Sequence, residues 1–223
     1  MKTKNFTEAR KYFFEFYESV KAAHNSTTNK DHGGHGLDHD ITVAAIAIKI
    51  APDEYTGQKA WCASFLHSFD RIFAGVDLKN QMAKYAENLR KFFNDEEINE
   101  IVEAAYRHDE LNQSDQTLTQ VTLMDADRLA NMQSAVIIRA GQFHQNIPVL
   151  DFNFLDGKAD PVSTYKSPKN ILDNLRFIIT SYIPQLRLPI AKNLGDIYAE
   201  RLSSYIESIE EDYRELGLKG LII

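Results

Sequence analysis

A single cysteine, Cys62, leaves this chain without any internal disulfide, which suits the reducing cytosol where the protein is expected to reside. Prolines number six and glycines ten, too few to punctuate 223 residues into strands and tight turns, so the chain reads as helical throughout. Positive charge is in deficit, 25 Lys and Arg against 32 Asp and Glu, for a net charge of −7. That balance excludes a nucleic-acid scaffold that works by neutralising many phosphates. It leaves room for a small anionic substrate, because a metal ion or a few arginines can reverse the field inside a pocket. Long apolar runs are missing too. The longest, Ile41 to Ala51, contains Lys49 and falls far short of a bilayer, so no membrane partner is expected. The first residues, MKTKNFTEARKYFFEFYE, scatter charge among their apolar positions and do not read as a signal peptide. Internal repeats and low-complexity segments are absent.

What is present is helical periodicity. The length suits one all-α domain over 1–223, with C-terminal helices at about 168–216 packed on its core. An amphipathic helix is expected from about Thr7 to Ala23, with Phe13, Phe14, Tyr17 and Val20 on its apolar side. The stretch from Leu37 to Ala51 is apolar nearly all round and should lie in the middle of the protein. Further helices are expected over about 57–68, 78–93, 95–107, 117–142, 168–182 and 189–216. Asn94-Asp95-Glu96-Glu97 has the capped, acidic start that the helix dipole favours. The segment 146–164, with Pro148, Gly157 and Pro161, is the longest irregular stretch.

The most informative stretch is Val121 to Met132, V-T-L-M-D-A-D-R-L-A-N-M. It places Asp125 and Asp127 in a segment that otherwise belongs in a core, where unpaired carboxylates are very costly. A cation should face at least one of them. Arg128, three residues past Asp125, is its local partner. Asp127 shares a helical face with Asn131 and Ser134, and is the carboxylate expected to face a metal. His39 and His67 lie upstream in two further helical segments. Two imidazoles and a carboxylate from separate helices are a reasonable set for a divalent transition metal with open positions. His35 lies four residues before His39 and on the same face. His24 and His144 read as surface residues. The Gly33-Gly34 pair is not a phosphate loop, since no lysine-serine/threonine ending follows it.

H-G-L-D-H at 35–39, L-H-S at 66–68 and D-A-D-R-L at 125–129, in this order and spacing, resemble the HD-domain metal-dependent phosphohydrolases, in particular a branch of small bacterial HD hydrolases. The resemblance implies an HD-type helical bundle with a divalent metal between its central helices, held by His39, His67 and Asp127. It implies Asp125, Arg128 and His108 around the substrate as catalytic groups, with His35 and Asn131 as substrate contacts. The substrate class it implies is a small phosphate ester or nucleotide, and a homodimer is compatible with the tyrosine-rich last helix. The segment A-D-R-L-A-N-M is also similar to one in guanosine tetraphosphate hydrolases. One position departs from the pattern: the family's His-Asp doublet is His67-Ser68 here. With the carboxylate missing, Mn²⁺ or Fe²⁺ is expected ahead of Mg²⁺, which prefers oxygen ligands, and Zn²⁺ or Ni²⁺ is compatible. Asp70 could stand in only if the helix ended at Ser68 and the chain turned back. Restoring the carboxylate by Ser68→Asp is expected to strengthen metal binding. The competing reading is a catalytically inactive HD-fold protein that binds metal or nucleotide in a regulatory or structural role.

Overall fold

The computed structural model describes residues 3–26, 36–73 and 76–221. Among the described residues the regular elements are helices, and pairing of the β type is confined to one isolated bridge between Thr164 and Ser167. No helix among them is long and apolar enough to cross a membrane. The chain forms two compact units. The first comprises residues up to 130 together with 187–191, and the second comprises 131–186 and the residues from 192 onwards.

The first unit holds α1 (Phe6–Tyr12), α2 (Phe14–Ser26), α3 (Leu37–Ile50), α4 (Glu54–Ser64), α5 (Phe69–Ile72), α6 (Leu78–Ala86), α7 (Asp95–Tyr106) and α8 (Leu118–Ala130). The expected N-terminal helix is thus two helices that meet at Phe13. Its centre is α3, which packs against both α4 and α8. The all-round apolar sequence of α3 is what such a position requires, since Val43, Ala44, Ala47 and Ile50 are all buried. Gly57 lets α4 come close: a Cβ there would lie 3.2 Å from the Ala51 Cβ and 3.6 Å from the Ile48 Cα. Phe13, Phe16, Trp61 and Phe65 are fully buried and meet one another in stacked, tilted and edge-on contacts, the aromatic anchor of α1, α2 and α4. Helix starts follow their caps. Asp53 accepts the Thr56 N–H at the start of α4, and Asn94 with Glu97 forms a reciprocal capping box at α7.

The second unit holds α9 (Val136–Phe143), α10 (Ile171–Tyr182) and most of α11 (Pro189–Glu215), whose first residues belong to the first unit. Its separate core includes Met132, Val136, Leu172, Leu175, Leu202 and Ile206. The long irregular stretch lies within this unit and is anchored by buried polar groups. Glu210, nearly fully buried, accepts the Gly157 N–H and pairs with Arg176, which also binds Asp173 at 2.7 Å. Gly157 has φ of +80°, a conformation that favours glycine.

Candidate metal centre

Four segments of the first unit converge on one polar cluster. His39 comes from the first turn of α3, His67 from the turn that follows α4, Asp127 from within α8, and His108 from the turn that follows α7. His39, His67 and Asp127 each offer a ligand atom, and these atoms lie within 4.8 Å of one another. His39 Nε2 is 3.0 Å from Asp127 Oδ1, and His67 Nε2 is 4.0 Å from the same oxygen. Ligands bonded at about 2.1 Å are about 3.0 Å apart when at right angles and about 4.2 Å apart when opposite, so both separations fit a single ion. The two histidines are buried, whereas the Asp127 side chain is 21% exposed, which puts the open side of the cluster at the carboxylate.

The chain ends of two helices set the histidine tautomers. After α4 the backbone tightens into short-range bonds, with the Phe65 and Leu66 N–H groups donating to the Cys62 and Ala63 carbonyls. The Ser64 carbonyl lies where intrahelical donors run out, and His67 Nδ1 meets it at 2.6 Å. A carbonyl oxygen only accepts, so Nδ1 carries the proton and Nε2 presents its lone pair to the cluster. His108 repeats the arrangement at the end of α7, its Nδ1 donating to the Ala105 carbonyl at 2.7 Å. The His67 and His108 rings meet edge to face with centroids 5.0 Å apart. Burial pushes the His67 pKa down, and although the nearby Asp40 carboxylate opposes it, the balance favours the neutral, lone-pair-bearing ring. Burial alone would raise the pKa of Asp127. The hydrogen bond from His39 and the positive charges that His39, His67 and His108 can carry outweigh it, and hold the carboxyl well below its usual range.

The other expected site residues are placed as follows. Asp125 is fully buried and faces away from the cluster: its Oδ2 accepts the backbone N–H groups of Arg187 and Leu188, each at 2.8 Å, and its Oδ1 lies 3.5 Å from Arg128. Burial raises the Asp125 pKa, and those two N–H donors and the arginines only partly offset the effect. Helix α8 stops at Ala130, and Asn131 and Ser134 fall in the turn that follows it. His35 lies outside the described residues. Asp70 is exposed and pairs with its neighbour Arg71, so it does not replace the carboxylate absent at position 68.

Sequence reasoning missed Asp40 and His24. Asp40 is fully buried beside His39 on α3, where its Oδ1 accepts the Ser68 hydroxyl at 2.7 Å and its Oδ2 lies 2.9 Å from His24 Nε2. His24, read as a surface residue, is buried because α2 brings it against this carboxylate. The signal was available in part: a carboxylate inside an apolar helix, the pattern that singled out Asp125 and Asp127, also describes Asp40.

No protein-family model matches the sequence, and no curated protein matches it at a significant level. Solved structures do match the fold. A Lactobacillus plantarum protein from a structural genomics programme aligns with a TM-score of 0.64 at 16% identity, covering 89% of this chain and 98% of its own. A predicted HD superfamily hydrolase from an uncultured Thermotogales bacterium gives a TM-score of 0.58 at 20% identity, over 89% of this chain and 91% of that one. Bacillus subtilis YpgQ, solved in complex with ADP, gives 0.59 at 16% identity, over 86% of this chain and 97% of that one. At these identities the likeness is one of fold: this chain shares its all-α architecture with those structures, one of them a predicted HD superfamily hydrolase.

Proposed function

We propose that the protein is a metal-dependent phosphohydrolase acting on a small phosphorylated metabolite or nucleotide. The observation that carries this reading is the convergence of His39, His67 and Asp127, with the His67 Nε2 lone pair directed at the same point as the Asp127 carboxylate. Two nitrogens and one oxygen suit Mn²⁺ or Fe²⁺ better than Mg²⁺, and leave positions open for water and substrate. When bound there, such an ion supplies Lewis acidity and lowers the pKa of its water. The remaining work falls to the chain. His39 Nε2 and Asp127 Oδ1, 3.0 Å apart, would both serve as ligands to the ion. His67 is held by the Ser64 carbonyl, so it does not have to reorient to bind. His108, fixed in the same way, presents its Nε2 lone pair to accept a proton in transit. Asp125, which ties α8 to the Arg187 and Leu188 N–H groups, and its partner Arg128 act by positioning α8. The fold it shares with a predicted HD superfamily hydrolase, and with a protein solved in complex with ADP, supports phosphate esters and nucleotides as the first substrates to try.

The test is elemental analysis of protein purified without added metal, followed by assay of phosphomonoesters and nucleoside phosphates with Mn²⁺. Hydrolysis is expected that EDTA abolishes and that His39→Ala, His67→Ala and Asp127→Ala each reduce by at least about 100-fold. Turnover that survives in all three variants would place the chemistry elsewhere.

A further inference from the structure

The turn after α4 poses a problem in hydrogen bonding. Ser68 Oγ donates to Asp40 Oδ1 at 2.7 Å, so its hydrogen is committed there. The same oxygen lies 3.3 Å from His67 Nε2, whose ring proton is on the other nitrogen, against the Ser64 carbonyl. Lone pairs therefore face one another across this gap, with the Asp127 carboxylate beyond. Such an arrangement is satisfied by a cation. Asp40 is what fixes it. Clamped on its other oxygen by His24 and fully buried, it has no freedom to release the serine hydroxyl.

We propose that Asp40 supplies from α3 the negative charge that position 68 lacks, and acts as a positioning residue for the metal ligand His67. Through the Ser68 hydroxyl it turns oxygen lone pairs, not a donor, towards Nε2, and the same carboxylate oxygen lies 3.7 Å from His67 Nδ1. The inference rests on the metal-site reading above and adds to it the reason a serine can occupy the place where the HD pattern has an aspartate. It also names a further carboxylate that Ser68→Asp would have to face. An aspartate at 68 would set a second buried carboxylate against Asp40, so the single variant should be destabilised without metal. Position 40 and position 68 are then a coupled pair in which one carboxylate, but not two, is accommodated.

The experiment is calorimetric titration of the full chain with Mn²⁺, paired with thermal melts, for wild type, Asp40→Asn, Ser68→Ala, Ser68→Asp and the double variant Asp40→Asn/Ser68→Asp. Removing a partner behind a ligand weakens metal binding by about 10–100-fold. Asp40→Asn and Ser68→Ala should each lose affinity in that range. Ser68→Asp should melt below wild type in the absence of Mn²⁺. The double variant should recover both, with affinity within about threefold of wild type. Wild-type affinity in Asp40→Asn and Ser68→Ala, or a double variant no better than Asp40→Asn, overturns the proposal. Should Asp40→Asn fail to fold, Ser68→Ala decides alone, since it leaves Asp40 and His24 in place. Two controls separate this failure from failure of the site. If His39→Ala and Asp127→Ala abolish Mn²⁺ binding while Asp40→Asn does not, only the role of Asp40 falls. If wild type takes up no Mn²⁺, or those two variants bind it normally, the metal reading falls and takes the inference with it.

Discussion

A histidine placed three residues beyond a carbonyl at a helix end satisfies that carbonyl and, by doing so, fixes which of its nitrogens is free. His67 on Ser64 and His108 on Ala105 both use this device. It makes the cluster sensitive to acid. Burial lowers the His67 pKa, so below the ordinary histidine value of about 6.5 the unfolded chain takes up a proton that the folded chain resists. Stability should therefore be full above that value and fall as the pH drops below it. Asp127, whose pKa is lowered, acts in a different window: its contribution is present above the usual carboxylate range of about 4 and is lost only in stronger acid. The melting temperature is expected to be lower at about pH 5.5 than at about pH 7.5, and the decline should be smaller in His67→Gln. An equal decline in that variant would assign the effect to other groups. At this scale His39, His67 and Asp127 could be picked out from the sequence, because buried charge and metal-ligand chemistry are properties of residue types. The His24–Asp40 contact could not, because it depends on how α2 meets α3, which periodicity does not encode.

At the scale of elements, apolar periodicity located most helices, and α3 and α11 run almost as the sequence predicts. It failed where turns are made without glycine or proline. The expected helix over about 117–142 is α8 and α9, broken across Asn131–Ala135 by a segment with no breaker residue. The role of Asp125 depends on such long-range structure. Its carboxylate collects two N–H donors just ahead of Pro189, where α11 begins and where proline itself offers no N–H. Removing it leaves those donors and Arg128 without this acceptor. Asp125→Ala should cost about 3–5 kcal/mol in urea denaturation, and Asp125→Asn clearly less, because the amide keeps an acceptor and drops a charge that burial disfavours. A loss below about 1 kcal/mol for the alanine variant would show that the clamp is not a principal fastening. Asn94→Ala, at the capping box of α7, should cost about 1 kcal/mol and leave Mn²⁺ affinity unchanged.

At the scale of the whole molecule, the two units are built differently. The first surrounds α3 with aromatic and polar contacts and contains all three members of the candidate ligand set, whereas the second has an aliphatic core of its own around α10 and α11. Nothing in the hydrophobic pattern marks the change at 130/131, because one amphipathic segment runs into the next without a linker. Separate cores allow separate opening, and a ligand protects only those openings that destroy its site. At a free Mn²⁺ concentration of about 100 times the dissociation constant, linkage adds about 2.7 kcal/mol to any opening that separates His39, His67 and Asp127. In hydrogen exchange, amides of α3, α8 and the turn at 65–68 should slow on adding Mn²⁺. Those of α10, around Leu172 and Leu175, should exchange at nearly their original rate. EDTA should reverse the effect, and Asp127→Ala should remove it. A uniform gain through both units would mean that the chain opens as one cooperative body, and that the division into two cores has no energetic counterpart. No change in α3 and α8, with Mn²⁺ shown to bind, would place the ion outside the His39–His67–Asp127 cluster.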